Sequence, residues 1–342
     1  MDIRIFTDER GFDDLKADWN TLLARSRSDT LFLTWEWQTT WWRCLGEGDL
    51  WLLAWYDQDQ IVGIAPLYLI VEQGGLRRLN IVGCVDVSDY LDVIIAAGSE
   101  EQVYAALMDW LTGTSAPAWD IAQFCNVPQQ SLTHQLLPEL AAQHGLEAKT
   151  RVEDVCPVIE LPDDFEIYLQ ERLSKKQRHE VRRKMRRIQD ETQVNWYVVD
   201  GAQAIETEME AFIQLHRLST DEKHSFMTPE MQAFFREITR TMHHAGWLYL
   251  AFIEINGAKA AAMLAFNYKG RLLVYNSGYD PATYAELSPG IVLTSLIIED
   301  AIKRDIRIFD FLQGNEVYKY RFGAIDTFVY DTQISRKAGQ SI

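Results

Sequence analysis

Several places in this 342-residue sequence hold side chains whose type and spacing suit chemistry. Ser288-Pro289-Gly290 stands directly before the apolar run IVLTSLIIEDAIK. Proline favours a first helical turn, glycine lets a ligand approach the backbone, and the free N–H groups there suit a phosphate. The same residues also fit an ordinary helix start with Ser288 as N-cap. Between Arg172 and Arg187 nine Lys or Arg accompany one acid, Glu180, a local charge of +8. Arg182, Arg183 and Arg186 within it are candidates to clamp phosphate, against the alternative of a solvated helix face. His216, in FIQLHRLS, has the residue type whose ordinary pKa lets it take a proton near neutrality; Lys223 follows in a polar stretch. Tyr279 and Asp89 sit at expected strand ends, where they can carry protons in a cleft or simply shape turns.

The rest of the composition narrows the class. Net charge is −17, which favours solubility and works against a broad nucleic-acid or anionic-membrane footprint. Apolar residues at 47% and charged ones at 24% are ordinary for globular domains. Hydrolase, NTPase and dehydrogenase readings lack their Ser-His-Asp, Walker and dinucleotide signatures. Cys44, Cys84, Cys125 and Cys156 are scattered, without metal-ligand spacing, and are expected as buried reduced thiols. His243 and His244 are adjacent, so on a helix they point about 100° apart; no metal site is expected. The opening residues have no secretory pattern, and the longest apolar stretch, 61–71, is short and broken by Gly63 and Pro66. A cytoplasmic chain with no membrane span is the expectation.

The elements that must position these residues come in two similar sets. Segments starting at Trp51 and Trp247 each read as strand, polar turn, strand, with turns at 57–60 and at Asn256-Gly257. A further strand follows each, YLDVIIAAG and RLLVYNSGYD, then a helix, EEQVYAALMDWL and GIVLTSLIIEDAIKR, then a short apolar strand, WDIAQFC and IRIFDFL. Amphipathic helices precede both hairpins. This order predicts an α/β (α+β) chain of two domains, each a mixed central sheet flanked by helices. A boundary near 157–165 gives domains 1–158 and 159–342, with the last strand able to pack on the first domain. The group Trp35, Trp37, Trp41 and Trp42 cannot share one helical face, and packing is its expected use.

The stretch from Tyr279 to Ala324 resembles the C-terminal segment of CelD/BioF-like (Acetyltransferase 6) domains and the matching part of the Fem peptidoglycan aminoacyltransferases. LSKKQRHEVRRKMRRIQ, FIQLHRLSTDEKHSF and LFLTWEWQTTWWRCLG are similar to further parts of these proteins. The resemblance implies two tandem GNAT-like domains and an acyltransferase that uses acetyl-CoA or another acyl-CoA as co-substrate. It implies that Ser288 and Gly290 hold the coenzyme A pyrophosphate, although this turn has one glycine where the family pattern has two or three. In Fem-like enzymes an aromatic-Lys pair helps bind the donor, which points to Tyr318 for binding and Lys319 for stabilising the oxyanion. His216, Tyr279 and Asp89 are then candidates for the acceptor's proton. The basic segment suits coenzyme A, a nucleotide-linked acceptor or tRNA. The implied acceptor is a small molecule, a polysaccharide or a cell-envelope precursor. The alternatives are an aminoacyl-tRNA-dependent transferase and a binding protein that kept the fold without the chemistry.

Overall fold

The computed structural model describes residues 1–84 and 87–336. In chain order the first half runs β1 (Asp2–Phe6), α1 (Arg10–Leu23), α2 (Trp35–Leu45), β2 (Asp49–Asp57), β3 (Gln60–Val71), β4 (Arg77–Ile81), β5 (Ile94–Ile95), α3 (Glu100–Thr112), β6 (Ile121–Pro128), α4 (Thr133–Gln143) and β7 (Glu147–Glu160). The second half begins with α5 (Phe165–Glu171), α6 (Lys175–Glu191), β8 (Val194–Val198), α7 (Ala202–Ser219), α8 (Asp221–Phe226) and α9 (Pro229–His244). It continues through β9 (Leu248–Ile255), β10 (Ala258–Tyr268), β11 (Arg271–Tyr279), α10 (Pro281–Tyr284), α11 (Pro289–Lys303), β12 (Ile308–Asp310), α12 (Val317–Arg321) and β13 (Ile325–Ser335). Two compact units result: Met1–Val155 with the segment from Phe328 onward, and Cys156–Thr327. The chain enters the second unit within β7 and leaves it within β13.

The first unit orders its strands β1-β2-β3-β4-β6-β13. Pairing is antiparallel except between β4 and β6, which run parallel because α3 carries the chain across. The strand expected at YLDVIIAAG is only the two-residue β5, paired to β3; β4 is the strand beside β3 over the longer register. The reason lies at Asp92. Its buried carboxylate accepts hydrogen bonds from Ser28, Thr133 and the Val93 N–H, which holds that segment as a loop around a polar centre. Trp37 and Trp41 are fully buried. Trp35 donates its indole N–H to the Phe12 carbonyl at 2.7 Å, and Trp42 packs edge-on to Tyr68, so all four tryptophans are in contact with the unit's interior. Cys84, in the loop after β4, and Cys125 of β6 form a disulfide, which corrects the expectation of four reduced thiols; Cys44 and Cys156 are free.

The second unit repeats the plan as β8-β9-β10-β11-β12-β7, with the parallel pair now β11 and β12 and α11 as the crossover. Its turns follow from local chemistry. Asn256 and Gly257 both have positive φ, the requirement of a two-residue hairpin turn that matches strand twist. Ser174 and Gln177 form a reciprocal capping box that starts α6. Along β10 the residues alternate between two faces. Ala261, Met263 and Ala265 join a core with α11 (Val292, Ile297, Ile298, Ala301) and with Val181 and Ile188 of α6. The intervening Phe266 meets Tyr275, which packs on Phe235 of α9. The sheet is thus covered on both faces, as its near-continuous apolar strands require.

Candidate functional site

The site forms where β11 and β12 part. They pair only from Arg271 to Leu273 with Ile308 to Asp310, while β11 stays paired to β10 through Tyr279. The edge of β11 from Val274 onward is therefore released on the β12 side. A bulge opposite Leu264/Ala265 leaves Tyr275 as the extra residue. Tyr275 and Asn276 consequently face the same way, Tyr275 onto Phe235 and Asn276 onto His216. The departure of β12 is fixed by two charges. Asp310, fully buried, accepts from Arg271 at 2.9 Å and from the Leu312 N–H at 2.9 Å.

Lys319 completes that exit. It is 2% exposed, and its Nζ donates to the carbonyls of Leu312 (3.2 Å), Gln313 (2.6 Å) and Gly314 (3.0 Å), with the Glu316 carboxylate 3.0 Å away. An ammonium has three N–H donors, and all three are spent on the loop after β12. Lys319 therefore ties together the loop after β12. Tyr318 beside it packs edge-on against Phe311, and burial pushes its hydroxyl pKa upward, with the Glu316 charge adding to the effect.

Across the opening lie α7 and α8. His216 is 1% exposed and its Nε2 bonds Asn276 Oδ1 at 2.9 Å, while Nδ1 is buried without a partner. Burial, then the neighbouring Lys223 charge, pushes its pKa down to about 4. This lowering favours the neutral imidazole at pH 7. Lys223, on α8, bonds the Ser277 carbonyl of β11 through its Nζ. Burial pushes its pKa down to about 8, against the opposing pull of Glu316 and Glu222. Sequence reading placed Lys223 in a polar stretch without a role, because a lysine among Asp, Glu and His residues reads as solvated. Helix α7 can come this close because Gly278 has no side chain: a Cβ there would lie 2.3 Å from the His216 nitrogen.

The third wall is the start of α11. Ser288 has φ 53° and ψ 51°, and its side chain does not cap the helix. Its Oγ instead accepts from Lys184 Nζ of α6 at 2.8 Å. The Ile291 and Val292 N–H groups both reach the Ser288 carbonyl, and Pro289 has no N–H. The Gly290 N–H has no acceptor among the described residues, and a Cβ on Gly290 would meet nothing within 4 Å. Arg187 donates to the Glu286 carbonyl at 3.1 Å, one turn along α6 from Lys184. Arg321 lies close enough that its charge, with those of Arg183 and Arg187, helps depress the Lys184 pKa, though burial is the main cause.

The other expected residues lie elsewhere. Arg183 pairs with Glu180 on its own helix, and Arg182 pairs with Glu166 of α5. Arg186 lines a groove with α5 residues. None of the three bonds to the α11 N-terminus; Lys184 and Arg187 reach it, because the register of α6 on the core turns that face inward. Tyr279 packs against the core, and its backbone N–H bonds Ser219 Oγ at 2.9 Å. Asp89 belongs to the first unit. Among the described residues no group of His, Cys, Asp or Glu is arranged to hold a metal ion, and no helix is long and apolar enough to cross a membrane.

Comparison with known proteins places this geometry. Residues 175–320, from the first residue of α6 to the last but one of α12, match the family described as acetyltransferase (GNAT) domain. No curated protein sequence matches the chain. Among solved structures the chain is similar to FemX (TM-score 0.69, 11% identity, 97% of each chain covered). It is similar to L-PGS from Bacillus licheniformis (TM-score 0.56, 11% identity, 98% of this chain and 93% of that one). It also resembles a tandem GNAT protein from the clavulanic acid biosynthesis pathway (TM-score 0.52, 11% identity, 100% of each). At these identities the likeness is one of fold. The chain thus has the fold of two tandem GNAT-like domains, and its residues 175–320 match the acetyltransferase (GNAT) domain family.

Proposed function

We propose that the second unit transfers an acyl group from an acyl-CoA, acetyl-CoA first among them, to an amine or hydroxyl of a small molecule or cell-envelope precursor. The observation that carries this reading is the open start of α11. The Gly290 N–H has no acceptor among the described residues, a Cβ there would meet nothing within 4 Å, and Lys184 and Arg187 bond Ser288 and Glu286 just before it in the chain. A diphosphate needs backbone N–H donors and fixed cations, and this turn supplies both. The released edge of β11 leads from that turn toward Lys223, which gives a thioester arm a path along backbone donors.

In this mechanism the acceptor nitrogen or oxygen attacks the thioester carbonyl. The new C–N or C–O bond forms, the C–S bond breaks, and N–H groups on the β11 edge stabilise the oxyanion. Neutral Lys223 takes the acceptor's proton, and the resulting ammonium returns a proton to the departing thiolate. A pKa pushed down to about 8 leaves a usable neutral fraction at neutral pH, which an ordinary lysine lacks. His216, neutral beside it, adds no competing charge. Tyr318 and Lys319 hold the opposite wall. The acceptor class draws support from the likeness to FemX and L-PGS.

The test is calorimetric titration of the protein with acetyl-CoA and coenzyme A, repeated with Gly290→Val. A Cβ at Gly290 would meet nothing within 4 Å outside its own helix and chain neighbours, and an unchanged denaturation midpoint checks that the variant keeps its fold. Micromolar binding that the substitution removes supports the reading, and micromolar binding that survives it removes the α11 start from the site. Absence of binding to either ligand shifts the weight to the second reading, an aminoacyl-tRNA donor. The likeness to FemX favours that one, and salt-dependent binding of charged tRNA tests it.

A further inference from the structure

Helix α6 has a second cationic face that the donor site does not use. Arg178, Arg182 and Arg186 recur every four residues, so they form one stripe with steps of about 6 Å. The stripe faces a groove between α5 and α6 whose walls include Lys175 and whose apolar lining includes Phe165, Leu169 and Met185. Lys184 and Arg187 point elsewhere, to Ser288 and Glu286.

Most cations of this groove have no carboxylate partner among the described residues. Several cations elsewhere on the unit are matched: Arg183 with Glu180, Arg187 with Glu191, Arg236 with Glu210, Arg304 with Asp300. In the groove Arg182 is held by Glu166, and Glu299 is already paired with Lys303. Lys175, Arg178 and Arg186 have no carboxylate partner among the described residues, on a chain with 50 acids and 33 Lys plus Arg. Arg178 is oriented by the last carbonyls of α5, Leu169 at 3.3 Å and Gln170 at 3.5 Å, and Arg186 by the Arg182 carbonyl at 3.4 Å. A merely solvated face would be expected to pair with the abundant acids, as the opposite flank of the same helix does. Oriented guanidinium groups over an apolar floor suit a phosphate attached to an apolar group.

We propose that this groove is a second anion site, which binds the phosphate or diphosphate group of a phosphorylated ligand independently of the acyl donor. Two sources carry that chemistry, a soluble diphosphate ester and a lipid headgroup, and the groove's stripe of guanidinium groups serves either. A site of this kind beside the transferase centre would hold a phosphorylated acceptor by its charged end.

Inorganic pyrophosphate, titrated calorimetrically into the full chain, is the probe. Arg178→Gln/Arg186→Gln is expected to weaken a pyrophosphate site by about tenfold or more, while Lys184→Gln leaves that site unchanged and coenzyme A binding survives the double variant. Since Arg178 also holds α5, the pair Lys175→Gln/Arg186→Gln, which removes only exposed charges, guards against loss of fold. Sedimentation with phosphatidylglycerol vesicles against phosphatidylcholine vesicles assigns the source: arginine-dependent pelleting marks a lipid headgroup, and its absence marks a soluble ligand. Pyrophosphate binding that ignores both double variants and falls only with Lys184→Gln would overturn the proposal, as would a face that retains tRNA and no pyrophosphate.

Discussion

Lys184 donates to Ser288 across 2.8 Å, and this one bond joins the basic helix α6 to the start of α11. It exists because Ser288 adopts a left-handed backbone and turns its hydroxyl away from the helix it precedes. The ammonium is thereby held at the residue two before Gly290, whose N–H has no acceptor among the described residues. Replacing Lys184 with Met should raise KM for acyl-CoA about tenfold, the value of one charge-assisted hydrogen bond, with kcat little changed. Steady-state kinetics read this directly, and an unchanged KM would separate Lys184 from the donor.

Lys223 and His216 make activity and stability depend on pH in stated directions. If neutral Lys223 accepts the proton, kcat should rise with pH through about 8 and level off above it, and Lys223→Met should abolish that rise. The stability effect has its own sign. A lysine whose folded pKa is depressed binds its proton more weakly in the native state, so unfolded chains hold more protons between about 8 and the ordinary lysine value. Stability should therefore increase with pH across that window. His216, pushed down to about 4, acts likewise: stability is lost as pH falls from its ordinary value of 6.5 toward 4. Urea unfolding of wild type and His216→Gln at pH 7 and pH 4.5 checks this, and equal pH sensitivity in both would remove His216 as the cause.

Much of the fold was legible because its signals are local. Asn256-Gly257 demanded a hairpin turn, Ser174 with Gln177 demanded a helix start, and both hairpins carried uninterrupted apolar strands. The strand around Ile94 misled, since its apolar residues line a buried carboxylate, Asp92, whose partners Ser28 and Thr133 are distant in sequence. The site was legible in place but not in role. Ser288 and Gly290 stand at the mouth, yet which basic residues of α6 face them depends on how α6 seats Val181 and Ile188 in the core. Lys319 was conspicuous as a cation, and only its burial among three carbonyls shows how that charge is used. Lys223 was inconspicuous for the opposite reason, because nothing in its neighbours' types announces burial.

Two glycines should respond oppositely to the same added methyl group. At Gly278 a Cβ would lie 2.3 Å from the His216 nitrogen and 2.5 Å from the Leu215 carbonyl carbon, both backbone atoms that cannot rotate away. Gly278→Ala should therefore push α7 off β11 and cost about 1–3 kcal/mol, the usual range for overpacking. At Gly290 the same methyl group meets nothing, so Gly290→Ala should leave folding within about 0.5 kcal/mol of wild type. Chemical denaturation of the two variants side by side decides this, and equal midpoints would contradict the close approach of α7 to β11.

Replacing Lys319 separates a chemical role from an architectural one. Lys319→Met keeps the aliphatic stem but removes the ammonium, leaving the carbonyls of Leu312, Gln313 and Gly314 and the Glu316 carboxylate without their common donor. Stranding buried acceptors and one carboxylate should cost about 3 kcal/mol in unfolding free energy. Activity should fall as well, because the loop after β12 forms the wall opposite Lys223. The two causes differ in their kinetics. Loss of an oxyanion donor would lower kcat with KM for the donor intact and leave stability unchanged. Loss of the wall should raise KM, lower kcat and lower the denaturation midpoint together. Lys319→Arg sharpens the distinction, since the larger planar guanidinium keeps the charge but does not fit a cradle built for a compact ammonium. It should be nearly as unstable as Lys319→Met. Full stability and turnover in the arginine variant would return Lys319 to the chemistry.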